Sequence, residues 1–248
     1  MVKLKDILTP AFRKPVGMSR KLVERCLSTD SRFCREVVAS GMLKEEQMRR
    51  AAARYRLGRS RSGETVFWMI DKNGNMRDGQ VGDTWVSLLM KANGRLSVGW
   101  QSKPCLFGEQ LIKPPSTFPC LREVSKSTID REDSGESIPV AVVESARSAV
   151  VLSELFPKYV WMATMLPAFL NEGLFLPLRG HKVVCFPATD VSGDNYLLWL
   201  ETARQAHARY GMDITVRDFL ERRASPEQKE DKIDLLKYIF RVKKSPTF

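Results

Sequence analysis

Histidine is almost missing from this chain of 248 residues, and cysteine is scarce. There are two histidines and five cysteines, and no cysteine pair has the Cys-x-x-Cys spacing. These counts disfavour a structural zinc site and a disulfide framework. No apolar run approaches the roughly 20 residues that a membrane span needs, and the first residues lack the apolar region of a signal peptide. We therefore expect a cytoplasmic protein with no membrane partner.

Positive charge is concentrated at the N-terminal end of the chain. Residues 1–62 contain 5 lysines and 11 arginines against 6 acids, a net charge of +10, whereas the rest of the chain carries +1. Six of these arginines lie close together in sequence: Arg49, Arg50, Arg54, Arg56, Arg59 and Arg61. Guanidinium groups match phosphate geometry, so the segment predicts contact with DNA or RNA whose affinity falls steeply with salt. The alternative is a solvated helix face.

The first half of the chain predicts an α+β unit. Capping residues and glycines favour helices over 19–26, 31–40 and 44–57, which form a basic helical segment within 1–62. Two apolar runs, 65–70 and 75–81, flank the turn Asp71-Lys-Asn-Gly74, which is typical of a β-hairpin because Asn-Gly tolerates positive φ. We assign 63–112 to a small unit around this hairpin. Residues 113–137, rich in proline, serine and threonine, are expected to be a linker or a long loop.

The second half predicts an α/β domain. Strands are expected at 140–143, 159–163 and 182–186, with helices at 146–156 and 195–210, and this alternation is typical of a parallel sheet with right-handed crossovers. Amphipathic helices are expected at 215–223 and 227–241. The predicted fold is therefore an α+β N-terminal unit of basic helices plus a hairpin, then an α/β domain over 138–223 and a C-terminal helix within 224–248.

Acidic residues follow two of the predicted strands. Glu144 comes directly after the strand 140–143, and Asp190 and Asp194 follow the strand 182–186. If those strands are neighbours in a parallel sheet, the acids meet at one edge, where carboxylate oxygens suit Mg²⁺. Two alternatives stay open: Glu144 caps the helix that begins near Ser145, and the aspartates are ordinary loop acids.

Four stretches of the sequence resemble Toprim-like, primase-related proteins of bacterial mobile elements, a family described largely as a domain of unknown function. The stretches are 63–71, 105–111, 139–145 and 180–187, and they follow the family's order and approximate spacing. The resemblance implies a Toprim-type α/β module in which Glu144 serves acid/base or metal-linked chemistry and a later acidic cluster holds Mg²⁺. The acid usual after Phe-Pro is Ala188 here, so Asp190 and Asp194 are the residues that could replace it. Arg147 stands where relatives carry lysine, and we count it with the arginines that bind nucleic acid.

The leading hypothesis is a nucleic-acid-binding, Toprim/primase-like protein of a plasmid or other mobile element. It would act in DNA replication or transfer, beside replication or mobilisation proteins, with a degenerate Mg²⁺-dependent nucleotidyltransferase or nuclease site. The main alternative is a non-catalytic module that binds DNA, RNA or a replication protein on the same scaffold. A third hypothesis is a small-molecule α/β enzyme, because fold alone does not fix function.

Overall fold

The computed structural model describes residues 18–112 and 138–244, with side chains up to residue 241. The predicted linker 113–137 lies outside the described residues. The first range begins with three helices and continues into an antiparallel sheet of four strands and a fourth helix. These elements are α1 (Arg20–Cys26), α2 (Arg32–Ala39), α3 (Glu45–Arg54), β1 (Gly58–Arg59), β2 (Thr65–Ile70), β3 (Met76–Val81), β4 (Thr84–Trp85) and α4 (Val86–Ala92), followed by the 3₁₀ helix Glu109–Leu111.

The hairpin between β2 and β3 is closed by the side chain of Asp71. Its carboxylate accepts hydrogen bonds from the backbone N–H groups of Asn73 and Asn75, at 2.9 and 2.8 Å. Gly74 adopts a φ of 75°, a left-handed conformation that costs other residues more. The pairing then runs from Ile70 opposite Met76 back to Val66 opposite Val81.

The second range forms a parallel sheet of four strands together with helices. Its elements are β5 (Val140–Val143), α5 (Ala146–Leu155), β6 (Val160–Ala163), the 3₁₀ helices Pro167–Phe169 and Glu172–Leu178, β7 (Lys182–Cys185), α6 (Asp194–Tyr210), β8 (Asp213–Val216), α7 (Phe219–Arg223), α8 (Pro226–Glu230) and α9 (Leu235–Lys244). The strands lie in the order β6-β5-β7-β8, and each neighbouring pair is parallel. The mixed α/β class with a parallel sheet is therefore confirmed. Within these ranges, no helix combines the length and apolar composition that a membrane span needs.

Both faces of the parallel sheet are covered, as the continuous apolar run of β5 requires. Ala141 and Val143 point into a core shared with α2, α3, α5 and α9. Val140 and Val142 point into the opposite core, which α6 and the 3₁₀ helix Glu172–Leu178 complete. Helices from the basic N-terminal segment thus pack in the same core as strands of the second range. The domain boundaries placed from sequence stay a prediction.

Two predictions for the C-terminal part are wrong. The segment 215–223 is not one helix, because residues Asp213–Val216 form β8, in which Thr215 lies opposite Val184 of β7. This edge strand has alternating exposed and half-buried side chains, and its four residues are too few to be told from a helix by periodicity, which explains the error. The expected helix over 227–241 is two helices, α8 and α9, separated by a turn in which Lys232 has a φ of 46°.

Candidate functional site

The carboxyl ends of β5 and β7 lie side by side at the centre of the parallel sheet. Val142 of β5 is opposite Cys185 of β7, so Glu144 and the loop that begins at Phe186 leave the same edge. From this pair the chain moves outward in opposite directions, to β6 on one side and to β8 on the other. Such a switch point is where open α/β sheets place a ligand crevice. The convergence of the two segments expected from sequence is confirmed.

Glu144 is half-buried and its Oε1 atom accepts three hydrogen bonds. The donors are the backbone N–H of Ala188 at 3.1 Å, the side-chain amide of Asn195 at 2.6 Å and the indole N–H of Trp199 at 3.2 Å. Asn195 also donates to the carbonyl oxygen of Ala188 at 2.6 Å. The carboxylate therefore joins the end of β5 to the loop after β7 and to the first turns of α6.

Asp190 organises the start of α6. Its Oδ1 accepts hydrogen bonds from the backbone N–H of Gly193 and from the hydroxyl of Ser192, and its Oδ2 accepts from the backbone N–H of Asn195 at 3.0 Å. Asp194 is the first residue of α6 and is exposed. Glu144 and Asp190 thus meet through Asn195, whereas Asp194 faces solvent.

Hydrogen-bond donors face three of the carboxylate oxygens from which the sequence predicts a magnesium site. Mg²⁺ needs converging oxygen ligands, but Glu144 Oε1 and both oxygens of Asp190 face N–H or O–H donors. Ala188, at the position of the expected acid, contributes an N–H group. No cluster of three or more His, Cys, Asp or Glu side chains suited to a metal ion occurs among the described residues. Magnesium binding stays a prediction that these contacts do not support.

The loop after β7 is also anchored to the C-terminal helices, which the sequence did not indicate. The hydroxyl of Thr189 donates to Glu221 Oε1 at 2.6 Å, and Lys229 Nζ pairs with Glu221 Oε2 at 2.9 Å. The backbone N–H of Thr189 donates to the carbonyl oxygen of Ile233 at 3.0 Å. No spacing in the sequence indicates that Glu221 accepts a hydrogen bond from Thr189.

Three of the predicted nucleic-acid-binding arginines lie on α3 and pair with acids. Arg49 pairs with Glu45 of the same helix at 2.8 Å. Arg50 and Arg54 both pair with Glu154 of α5, at 2.8 and 2.9 Å, and Glu154 is 5% exposed. Arg50 and Arg54 therefore help to hold α3 against α5, while Arg49 lies on the outer surface.

The remaining four arginines occupy different surroundings. Arg56 is buried, Arg59 pairs with Asp30 at 2.9 Å, and Arg61 is exposed. The guanidinium group of Arg147 lies 5.6 Å from the centre of the Phe33 ring. The seven arginines thus do not share one environment.

Two further family-like stretches meet at the hairpin. Glu109 accepts hydrogen bonds from the backbone N–H groups of Lys72 and Leu106, at 3.0 and 3.3 Å. Its burial raises the pKa of its carboxyl group. Burial would also raise the pKa of the nearby Asp71, but hydrogen bonds from Asn75 and Arg77 outweigh it and lower that pKa. These buried acids support the turn of the hairpin.

Comparisons with known proteins add a family and a distant structural likeness. Comparison with curated proteins finds no match. Among solved structures, the chain is similar to the primase fragment of the bacteriophage T7 primase-helicase protein, with 12% sequence identity and a TM-score of 0.40. That match covers 68% of this chain and 59% of the fragment, so this chain spans less than two thirds of the length of the fragment. A family model described as a domain of unknown function matches residues 33–130 and 128–189, and the chain therefore belongs to the DUF6371 family.

Proposed function

We propose that this protein binds nucleic acid through its arginine-rich N-terminal helices, on a Toprim-like sheet whose acidic edge is structural. The observation that carries the proposal is the exposure of the guanidinium groups. Arg49 and Arg59 expose 62% and 43% of their side-chain surface, and their partners Glu45 and Asp30 expose 75% and 63%. Ion pairs this exposed contribute about 0 to 1 kcal/mol each, so phosphates can compete for the arginines. Release of counterions from the polyanion then favours the complex.

The biological setting is proposed from the sequence resemblance alone. The four family-like stretches support a role in replication or transfer of a mobile element's DNA. Replication or mobilisation proteins are the protein partners that this role would require.

A non-catalytic binding module is the form of the proposal that the geometry favours. A carboxylate that acts on a phosphoryl group through a metal must present its oxygens to the cation. Glu144 instead directs Oε1 at three N–H donors, which also fix the loop after β7 and the start of α6. The enzymatic alternative is a Mg²⁺-dependent nucleotidyltransferase or nuclease that uses Glu144, Asp190 and Asp194.

Fluorescence anisotropy with the full chain and a labelled single strand of about a dozen nucleotides tests binding. We compare Arg49→Gln/Arg61→Gln with the matched control Arg204→Gln/Arg209→Gln, whose arginines are exposed on α6. The first double variant should reduce the slope of log affinity against log salt by about 1.4, because each phosphate contact to a single strand contributes about 0.7. An equal loss in the control, or no binding at about 50 mM salt, overturns the proposal. Absence of binding would favour the small-molecule enzyme.

A second assay separates the binding module from the enzyme. The protein is incubated with Mg²⁺, nucleoside triphosphates and the labelled strand, and the strand is then analysed for extension or cleavage. The binding module leaves the strand unchanged. Extension or cleavage that disappears in Glu144→Gln would overturn the non-catalytic assignment.

A further inference from the structure

A groove runs beside the arginine-rich helices, between the loop that joins α1 to α2 and the surface of α3. It consists of two adjoining cavities of about 460 and 380 Å³, which share Thr29 and Asp30 as lining residues. Small side chains of α3, Ala52 and Ala53, line the larger cavity together with the hydroxyl residue Ser28. Cavities of this size accept small-molecule ligands or single nucleotides.

Two arginines hold the carboxylate of Asp30 at the groove. Arg35 pairs with Oδ1 and Arg59 pairs with Oδ2, each at 2.9 Å. The two guanidinium groups converge above Gly63, where an added Cβ would lie 3.9 Å from both. Because Asp30 exposes 63% of its side chain, this ion pairing is open to solvent. Two guanidinium groups that pair with one carboxylate can also pair with the oxygens of a phosphate group.

Arg56 lines the larger cavity from a conformation that arginine rarely adopts. It follows α3 with a φ of 55°, and it is 4% exposed. The backbone N–H groups of Arg56 and Leu57 donate to the carbonyl oxygens of Ala53 and Ala52, at 3.1 and 2.9 Å, which is the Schellman pattern. Glycine is the usual residue there, and a side chain costs about 1 to 2 kcal/mol. The sequence thus places an arginine in the cavity wall where a glycine would relax the backbone.

We propose that this groove binds an unpaired nucleotide of a single-stranded nucleic acid, whose phosphate displaces Asp30 from Arg35 and Arg59. The inference rests on the proposed nucleic-acid binding and assigns it a site. Bases in a duplex are stacked and paired, so an unpaired base enters such a cavity more readily. Arg56 then lies on the wall of the cavity that the nucleotide enters. In the unbound protein, Asp30 occupies the phosphate position and limits affinity.

Matched charge variants of α2 and its preceding loop test the site. Asp30→Asn should raise the affinity for the labelled single strand about threefold to tenfold, because it frees two exposed guanidinium groups. Glu36→Gln is its control, since it removes the same charge from a residue that pairs with Arg32 and does not line the groove. Likewise, Arg35→Gln should lower the affinity about fivefold to tenfold, and its control Arg32→Gln should lower it less than about twofold. Thermal unfolding of each variant verifies that the fold is retained.

The outcomes separate this inference from the function on which it rests. If all variants bind the strand equally well, the groove is not the site, although nucleic-acid binding itself stands. If no variant and no wild-type protein binds, both proposals fail. If an unlabelled duplex competes as well as an unlabelled single strand of the same length, the assignment to an unpaired nucleotide is overturned. Larger changes in Asp30→Asn and Arg35→Gln than in their controls support the site.

Discussion

Replacing Glu144 distinguishes a structural carboxylate from a catalytic one. Glu144→Gln keeps an acceptor oxygen but removes the charge that strengthens three hydrogen bonds. Hydrogen bonds to charged groups contribute about 1.5 to 3 kcal/mol, against about 0.5 to 1.5 for neutral pairs, and bonds to one oxygen are not additive. We therefore expect the free energy of unfolding to fall by about 1 to 2 kcal/mol.

Glu144→Ala should destabilise the protein further. It leaves the backbone N–H of Ala188 and the indole N–H of Trp199 without their acceptor, whereas the amide of Asn195 retains the carbonyl oxygen of Ala188. Two donors at about 1 to 3 kcal/mol each give a loss of about 2 to 6 kcal/mol. For a chain of this length, that corresponds to a fall in Tm of about 2 to 4 °C per kcal/mol.

Urea unfolding followed by tryptophan fluorescence measures both changes, provided that the slope m stays constant. Glu201→Gln is the control, because Glu201 is an exposed acid whose partners Arg204 and Gln205 lie on the same helix. Glu201→Gln should change the urea concentration at the unfolding midpoint little. If both Glu144 variants match or exceed the wild-type stability, the carboxylate is held at a cost in stability, as in a catalytic site. That result would refute the structural role.

Two more variants test local features. Arg56→Gly should be more stable than Arg56→Ala by about 1 kcal/mol, because both lack the guanidinium group and only alanine strains the positive φ; equal unfolding midpoints would contradict this. Burial raises the pKa of Glu109 above its ordinary value of 4.5. Between the unfolded and the folded pKa, the native carboxyl group therefore keeps a proton that the unfolded chain has lost, and the free energy of unfolding falls as pH rises. Glu109→Gln does not titrate at this position, so its free energy of unfolding relative to wild type should increase from about pH 4 to pH 7 in urea titrations. A difference between the two proteins that stays constant with pH would contradict the raised pKa of Glu109.

The sequence predicts the elements whose signals are local. The strand Val140–Val143 has the predicted bounds, and Ser19 caps α1 by accepting a hydrogen bond from the backbone N–H of Lys21. The prediction of a helix over 215–223 fails at Thr215 and Val216, because the conformation of β8 depends on pairing with β7, which is distant in sequence. Asp213–Val216 alternates polar and apolar residues, as a strand does, but four residues are too few for this pattern to exclude a helix that begins at Thr215.

Part of the candidate site is predicted from the sequence and part is not. The convergence of Glu144 with the loop after β7 follows from strand order, which alternation of strands and helices predicts. The donors to Glu144 do not follow, because Asn195 and Trp199 reach it from 51 and 55 positions away. Their contacts depend on where α6 begins and which way it faces. A sequence pattern can place a carboxylate at a sheet edge without showing whether N–H donors or a cation will surround it.

The core that α3 shares with α5 has a consequence for synthesis on the ribosome. Arg50 and its partner Glu154 are 104 positions apart, so α3 emerges long before the surface that covers it. At about 5 to 20 residues per second, the delay is roughly 5 to 20 seconds. Throughout it, the apolar side of α3, including Met48, lacks the side chains of β5 and α5 that complete its core. We expect the nascent chain to need chaperone protection during this interval.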